Sequence, residues 1–204
     1  MAELKATGCP TVLVDGYSAG DAFDSVTGDN EAGTRAAVDR LVTAGHSHIA
    51  LLGTEPDCFP SILGRRRGYL DGIRSHGLRP HLIDISYVLT RASAVLGLDY
   101  VERHPEVTAV MGANDSMTAS FVQLARDAGY RLPADLSVVG FDDLDLAGMM
   151  MPALTTLRVD RSLMARAAFA LLAYRLEDPA GVVVQSLVQP RLVERDSVAP
   201  PPAG

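Results

Sequence analysis

The sequence predicts an α/β fold built on a mostly parallel sheet. Three observations carry that expectation. Short apolar runs of strand length, such as IALLG at 49–53 and SVVGF at 137–141, have no polar face, which marks strands buried on both sides. Between them lie longer segments with apolar residues at helical spacing. The two kinds alternate along the chain, the pattern of strand–helix–strand units.

In order, TVLVD (11–15) reads as a β-branched strand closed by a carboxylate and Gly16. NEAGTRAAVDRLVTAGH (30–46) is a helix, with Ala37, Val38, Leu41 and Val42 on one stripe and Gly45 as its stop. IALLG is a strand. SILGRRRGYLDGIRSHG (61–77) is a helix ended by Gly77, and HLIDISYVLT is ambiguous. RASAVLGLDYVERHP (91–105) is a helix ended by Pro105, VTAVMGAND (107–115) a strand, and SMTASFVQLARDAG (116–129) a helix closed by Gly129. SVVGF and TTLRV (155–159) are strands, and DRSLMARAAFALLAYRLED (160–178) is a long amphipathic helix. A last strand pair, broken at Pro190, is expected over 182–197, and the tail APPPAG is expected not to pack. DAFDSVTGD (21–29) shows only scattered turn residues.

Composition excludes several classes. The chain has 204 residues, 48% of them hydrophobic, enough for a sizeable core. Its net charge of −7 and lack of a basic tail argue against non-specific nucleic-acid binding. Cys9 and Cys58 are isolated and read as free thiols in a reducing compartment. No apolar run reaches membrane-span length, and MAELKATGCPTV has no apolar core after a basic start. A soluble, cytoplasmic protein without cofactor or metal is expected.

The apolar strands end in polar groups. TVLVD ends in Asp15, VTAVMGAND in Asn114 and Asp115, and SVVGFDD in Asp142 and Asp143, while Arg65 follows IALLG after a loop. Ligands of open parallel sheets bind outside the carboxyl ends of the strands. Carboxylates accept hydrogen bonds, Asn donates and accepts, and Arg offers a planar fork of donors. That set suits a small polyhydroxylated molecule. Asp115 and Asp143 also fit as helix caps or turn residues.

Seven pieces of the chain then resemble, in order, the effector-binding core of the lactose/galactose-repressor family of bacterial transcription regulators. They are VLVD (12–15), DNEAGTRAAVDRLVTAGHSHIALLG (29–53), RRRGY (65–69), ANDSMTAS (113–120), LPADLSVVGFDD (132–143), PALTTL (152–157) and LVERDSVAPP (192–201). The resemblance implies a type I periplasmic-binding-protein-like fold, α/β with parallel sheets flanked by helices, and a non-enzymatic sensor of a sugar, sugar phosphate or nucleoside bound in an inter-lobe cleft. By position it places effector contacts at Arg65, Asn114, Asp142 and Asp15, with Phe59 and Ser61 bordering the pocket. It also implies a homodimer through the region of Met117, Phe121, Met149 and Met150. Tryptophan is absent, so Tyr17 and Phe59 are the candidate stacking rings.

The chain departs from the family in lacking an N-terminal helix-turn-helix. The resemblance implies a nearly complete C-terminal lobe at 29–157 and 178–197, a remnant of the N-terminal lobe at 1–28 and 158–177, and a flexible tail at 198–204. The opening residues read like the end of a helix in a longer frame. DNA would be contacted only through the missing module.

Rival readings rest on short patterns. GYSAG (16–20) matches a nucleophile elbow with Ser18, but no helical stripe follows it. His46-Ser-His48 supplies two histidines, which alone do not complete a zinc site, and no Cys or acidic set lies at ligand spacing. Of Arg65-Arg66-Arg67 only one can face a ligand, since neighbours on a helix point about 100° apart. A sugar-binding protein of a transport system remains the alternative to the regulator.

Overall fold

The computed structural model describes residues 3, 6–16, 23–86 and 91–202, and they fall into two units. Tyr17 and Ser18, and with them the GYSAG pattern, lie outside the described residues.

The smaller unit combines the N-terminal 29 residues with Val159–Pro190. Its sheet has the order β1-β2-β8, from β1 (Val12–Val14), β2 (Asp24–Gly28) and β8 (Gln185–Val188), all parallel. The long helix α6 (Arg161–Glu177) packs Met164, Ala167, Ala168 and Leu171 against Val12, Val26 and Val188. Strand β2 was not expected, because DSVTG is mostly polar and small. Its Asp24 is buried and accepts from Arg175 Nε at 2.8 Å, Arg175 NH2 at 2.9 Å and the Val184 amide at 2.8 Å. Those donors hold the Asp24 carboxyl below the usual range against its burial, Arg175 most of all.

The larger unit, Asn30–Arg158 with Arg191–Gly204, carries the six-stranded sheet β4-β3-β5-β6-β7-β9. Its strands are β3 (Ile49–Leu52), β4 (His81–Ile83), β5 (Ala109–Gly112), β6 (Ser137–Asp142), β7 (Thr155–Arg158) and the antiparallel β9 (Arg191–Val193). Strands β3 and β5 are buried at every residue, as their unbroken apolar runs require. The helices are α1 (Asn30–Thr43), α2 (Pro60–Ser75), α3 (Arg91–Arg103), α4 (Asp115–Asp127) and the short α5 (Asp145–Met149). The expected glycine stops take left-handed backbone; at Gly129, φ is 97° and the following Tyr130 amide reaches Ala125 O at 3.0 Å.

Four expectations need correction. Strands β8 and β9 do not pair with each other; β8 joins β2 and β9 joins β7. The segment 178–190 therefore belongs with the smaller unit, not with the larger lobe. The start of the tail is tied down, because Ala199 exchanges hydrogen bonds with Ser137 at 3.0 Å and its carbonyl accepts from buried His46 Nε2 at 2.9 Å. Met117 and Phe121, expected on a dimer face, are fully buried in the core with Leu52, Val110 and Leu136, so they have no surface left to give a partner.

Strand order decides where a ligand can sit. From β3 the chain moves to β4 on one side and returns to β5 on the other. The carboxyl ends of β3 and β5 flank this reversal, the place where open parallel sheets hold ligands.

Candidate functional site

Helix α2 delivers Arg65 to that end of the sheet. Its glycines at 64, 68 and 72 recur every fourth residue and form one smooth ridge. A Cβ at Gly68 would lie 2.3 Å from Glu31 O, and one at Gly64 would lie 3.0 Å from Asn30 Cβ. Only a side-chain-free ridge lets α1 come this close. Arg65, buried at 6% exposure, thereby donates from Nε to Asn30 Oδ1 at 2.9 Å. Its NH2 reaches Asp142 Oδ1 at 3.1 Å, and its NH1 donates to the Ala113 carbonyl. The guanidinium carbon sits 3.6 Å from the centroid of the Phe141 ring, a cation–π stack.

The neighbouring arginines face elsewhere. Arg66 pairs with Asp84 and donates to Thr54 O at 2.6 Å, while Arg67 pairs with Glu31 at 2.5 Å.

Strand β6 ends in Asp142 and is followed by Asp143, both with positive φ, at 108° and 51°. Non-glycine residues rarely adopt this backbone, and it clusters at functional sites. It turns the two carboxylates to different partners. Asp142 keeps 28% side-chain exposure beside Arg65. Asp143 is structural, paired with Arg158 at 2.5 Å and Arg195 at 2.6 Å. Burial works to raise the Asp143 carboxyl, but the Arg195 and Arg158 hydrogen bonds outweigh it and hold it below the usual range.

Asn114 caps α4, accepting from the Met117 amide at 2.8 Å through Oδ1. The carbonyl half of its amide is thus committed to the helix. Asp115 is fully buried and accepts from Thr156 Oγ1 at 2.6 Å and the Leu144 amide at 2.8 Å. Burial pushes its carboxyl up to about 6, the Asp142 and Asp143 charges adding to the effect and the two hydrogen bonds opposing it. This carboxyl locks the turn after β6 rather than facing a ligand.

The sign of the Asp115 effect is definite. A carboxyl whose folded pKa exceeds its unfolded value favours folding most when protonated, so its contribution falls as pH rises from about 4 to about 6. Asp115→Asn removes that dependence. Between pH 4 and pH 7 the stability of the variant relative to the parent should improve by about 2 kcal/mol. Urea unfolding at the two pH values measures it, and a pH-independent difference would contradict the assignment.

The remaining expected residues are scattered. Phe59, 63% exposed, precedes the first turn of α2, and Ser61 lies half-buried within that turn. Asp15 is exposed in the smaller unit, with φ of 56° and its amide on Val26 O at 2.9 Å. Met149 is 82% exposed at the end of α5, and Met150 is half-buried against Val122, Val138 and Leu154. His46 and His48 do not form a pair: His46 is buried among Thr108, Ser137 and Ala199, and His48 contacts His81. The structure brings Arg65 and Asp142 into direct contact and adds Asn30 and Phe141, which the sequence reading did not single out. The DN at 29–30, a polar pair opening a helix, was the available signal for Asn30.

A profile of the periplasmic binding protein-like domain matches residues 38–198. The chain belongs to this family. Among curated relatives, the HTH-type transcriptional regulator MalR of Streptomyces coelicolor is 33% identical over 98% of this chain. The HTH-type transcriptional regulator CelR of Thermobifida fusca is 30% identical over 83% of it. The chain spans 59% of the MalR length and 50% of the CelR length. Among solved structures, a LacI transcriptional regulator from a Rhodococcus species superposes with a TM-score of 0.85 at 29% identity, covering 98% of this chain and 74% of that one. A transcriptional regulator CelR–cellobiose complex gives a TM-score of 0.82 at 28% identity, covering 94% and 59%. The resemblance to the effector-binding part of lactose/galactose-type repressors thus extends over almost the whole chain, and these relatives are regulators rather than enzymes. Among the described residues, no helix of this periplasmic binding protein-like chain is long and apolar enough to cross a membrane.

Proposed function

We propose that this chain is the effector-sensing part of a bacterial transcription regulator and that it binds a small sugar or nucleoside. The carrying observation is the partly exposed Asp142 carboxylate, held by buried Arg65 beside the strand-order reversal. A carboxylate with a fixed arginine accepts hydrogen bonds from ligand hydroxyls in a defined direction. Asn114 supplies an amide nitrogen from the end of β5. The relatives favour a regulator over a transport protein, and the CelR complex puts a disaccharide first among ligands to test. In the longer protein, effector and operator affinities would be linked reciprocally. Operator contact is assigned to a module outside these residues, the working compartment to the cytoplasm, and dimer contact to a face that includes exposed Met149.

Thermal melts of the chain with millimolar cellobiose, other sugars, sugar phosphates and nucleosides test the reading. A ligand that binds only the folded state raises the melting point. One compound class should raise it, and Asp142→Ala should weaken that ligand roughly tenfold to a hundredfold. A panel without effect, or a ligand whose affinity ignores Asp142→Ala, would sink it.

A further inference from the structure

The opposite end of the same sheet carries a second cluster of chemistry. Strands β4, β3 and β5 lie side by side and run parallel. His81 opens β4, His48 immediately precedes β3, and His104 and Glu106 lie just before β5. The parallel register therefore gathers four potential donors at the amino ends of three adjacent strands, although they come from segments 56 residues apart at the extremes of the histidines, 48 to 104.

The geometry points to a binding site for a divalent transition metal of the zinc type, formed by His81, His104 and Glu106 with His48 as the adjacent fourth donor. One ring nitrogen from each of His81 and His104 and one Glu106 carboxylate oxygen all lie within 4.8 Å of one another. Two ligands on one tetrahedral zinc stand about 3.3 Å apart, given metal–ligand distances of about 2.0–2.1 Å. The His104 Nδ1–Glu106 Oε1 separation is 3.2 Å, and His48 Nδ1 is 3.2 Å from His81 Nε2. Small side-chain rotations close the remaining gap. Two imidazoles and a carboxylate suit zinc and its first-row neighbours better than magnesium or calcium, which favour all-oxygen shells.

The surroundings are built to hold His81 in place. Its Nδ1 lies 3.1 Å from the Tyr100 hydroxyl, the kind of outer partner that orients a metal-bound imidazole. Its backbone amide donates to the buried Tyr69 hydroxyl at 2.8 Å. Tyr100 also stacks on His104, with ring centroids 4.2 Å apart. His104 and Glu106 keep 40% and 42% side-chain exposure, so an ion can enter from solvent.

Calorimetric titration of zinc into this chain tests the site, repeated on His104→Ala and Glu106→Gln. Both side chains are partly exposed, and circular dichroism checks that each variant is folded. His76→Ala is the control, because His76 pairs with Asp39 through a separate contact of 2.6 Å. The expected result is one zinc per chain, weakened at least tenfold in each of the first two variants and unchanged in the control. No saturable binding at micromolar zinc, or binding equally tight in both site variants, would overturn the proposal.

Discussion

Arg65→Ala should cost the fold about 3 kcal/mol and weaken effector binding at least tenfold. The side chain is 7% exposed and serves four partners at once: Asn30, the Ala113 carbonyl, Asp142 and the Phe141 ring. Removing it takes a cation from a half-buried carboxylate and leaves two acceptors short of a donor. Unpairing a buried ion pair costs about 3–5 kcal/mol, and the 28% exposure of Asp142 places this case at the low end. Arg65→Lys separates charge from shape. A lysine keeps the positive charge but lacks the planar fork and cannot serve Asn30, Ala113 and Asp142 together. It should recover only part of the stability and less of the binding. Urea unfolding and ligand titration on both variants measure this; full recovery with lysine would show that the fork geometry is irrelevant.

Gly68→Ala should destabilise the protein by about 3 kcal/mol, although alanine is the better helix former by about 1 kcal/mol. The new methyl group would meet Glu31 O at 2.3 Å and Glu31 Cα at 2.9 Å. These are backbone atoms, so helix α1 itself must move. Asn30 adjoins Glu31, and the shift would also loosen the Asn30–Arg65 hydrogen bond and weaken effector binding. Gly148→Ala, in α5, is the matched comparison: nothing lies within 4 Å of its added carbon, and its stability should be unchanged or slightly raised. Equal effects at the two glycines would refute the close-approach argument.

Much of the site was legible because local sequence encodes it. Buried strands such as β3 and β5 must be apolar on both faces, and polar residues at their carboxyl ends are then conspicuous. Asp142 stood out for that reason, whereas Arg65, inside helix α2, was placed by the RRRGY piece of the family resemblance. The partners of those residues were less legible. Asn30 reaches Arg65 only because α1 and α2 touch along the glycine ridge. Asp143 resembled a turn residue or a ligand contact until Arg195, 52 positions away, claimed it.

The sequence by itself determined the alternation of strands and helices, the helix stops and the polar strand ends, since each follows from the period and chemistry of neighbouring residues. Tertiary structure alone decided the rest. It made a strand of DSVTG, by giving buried Asp24 the Arg175 fork from 151 residues along the chain. It sent β8 and β9 to different sheets, drew Met117 and Phe121 into the core, and set His48, His81 and His104 side by side. The physical reason is common to all four. Periodicity is local, whereas burying a charge, choosing a strand partner or filling a core depends on which distant groups arrive to satisfy it.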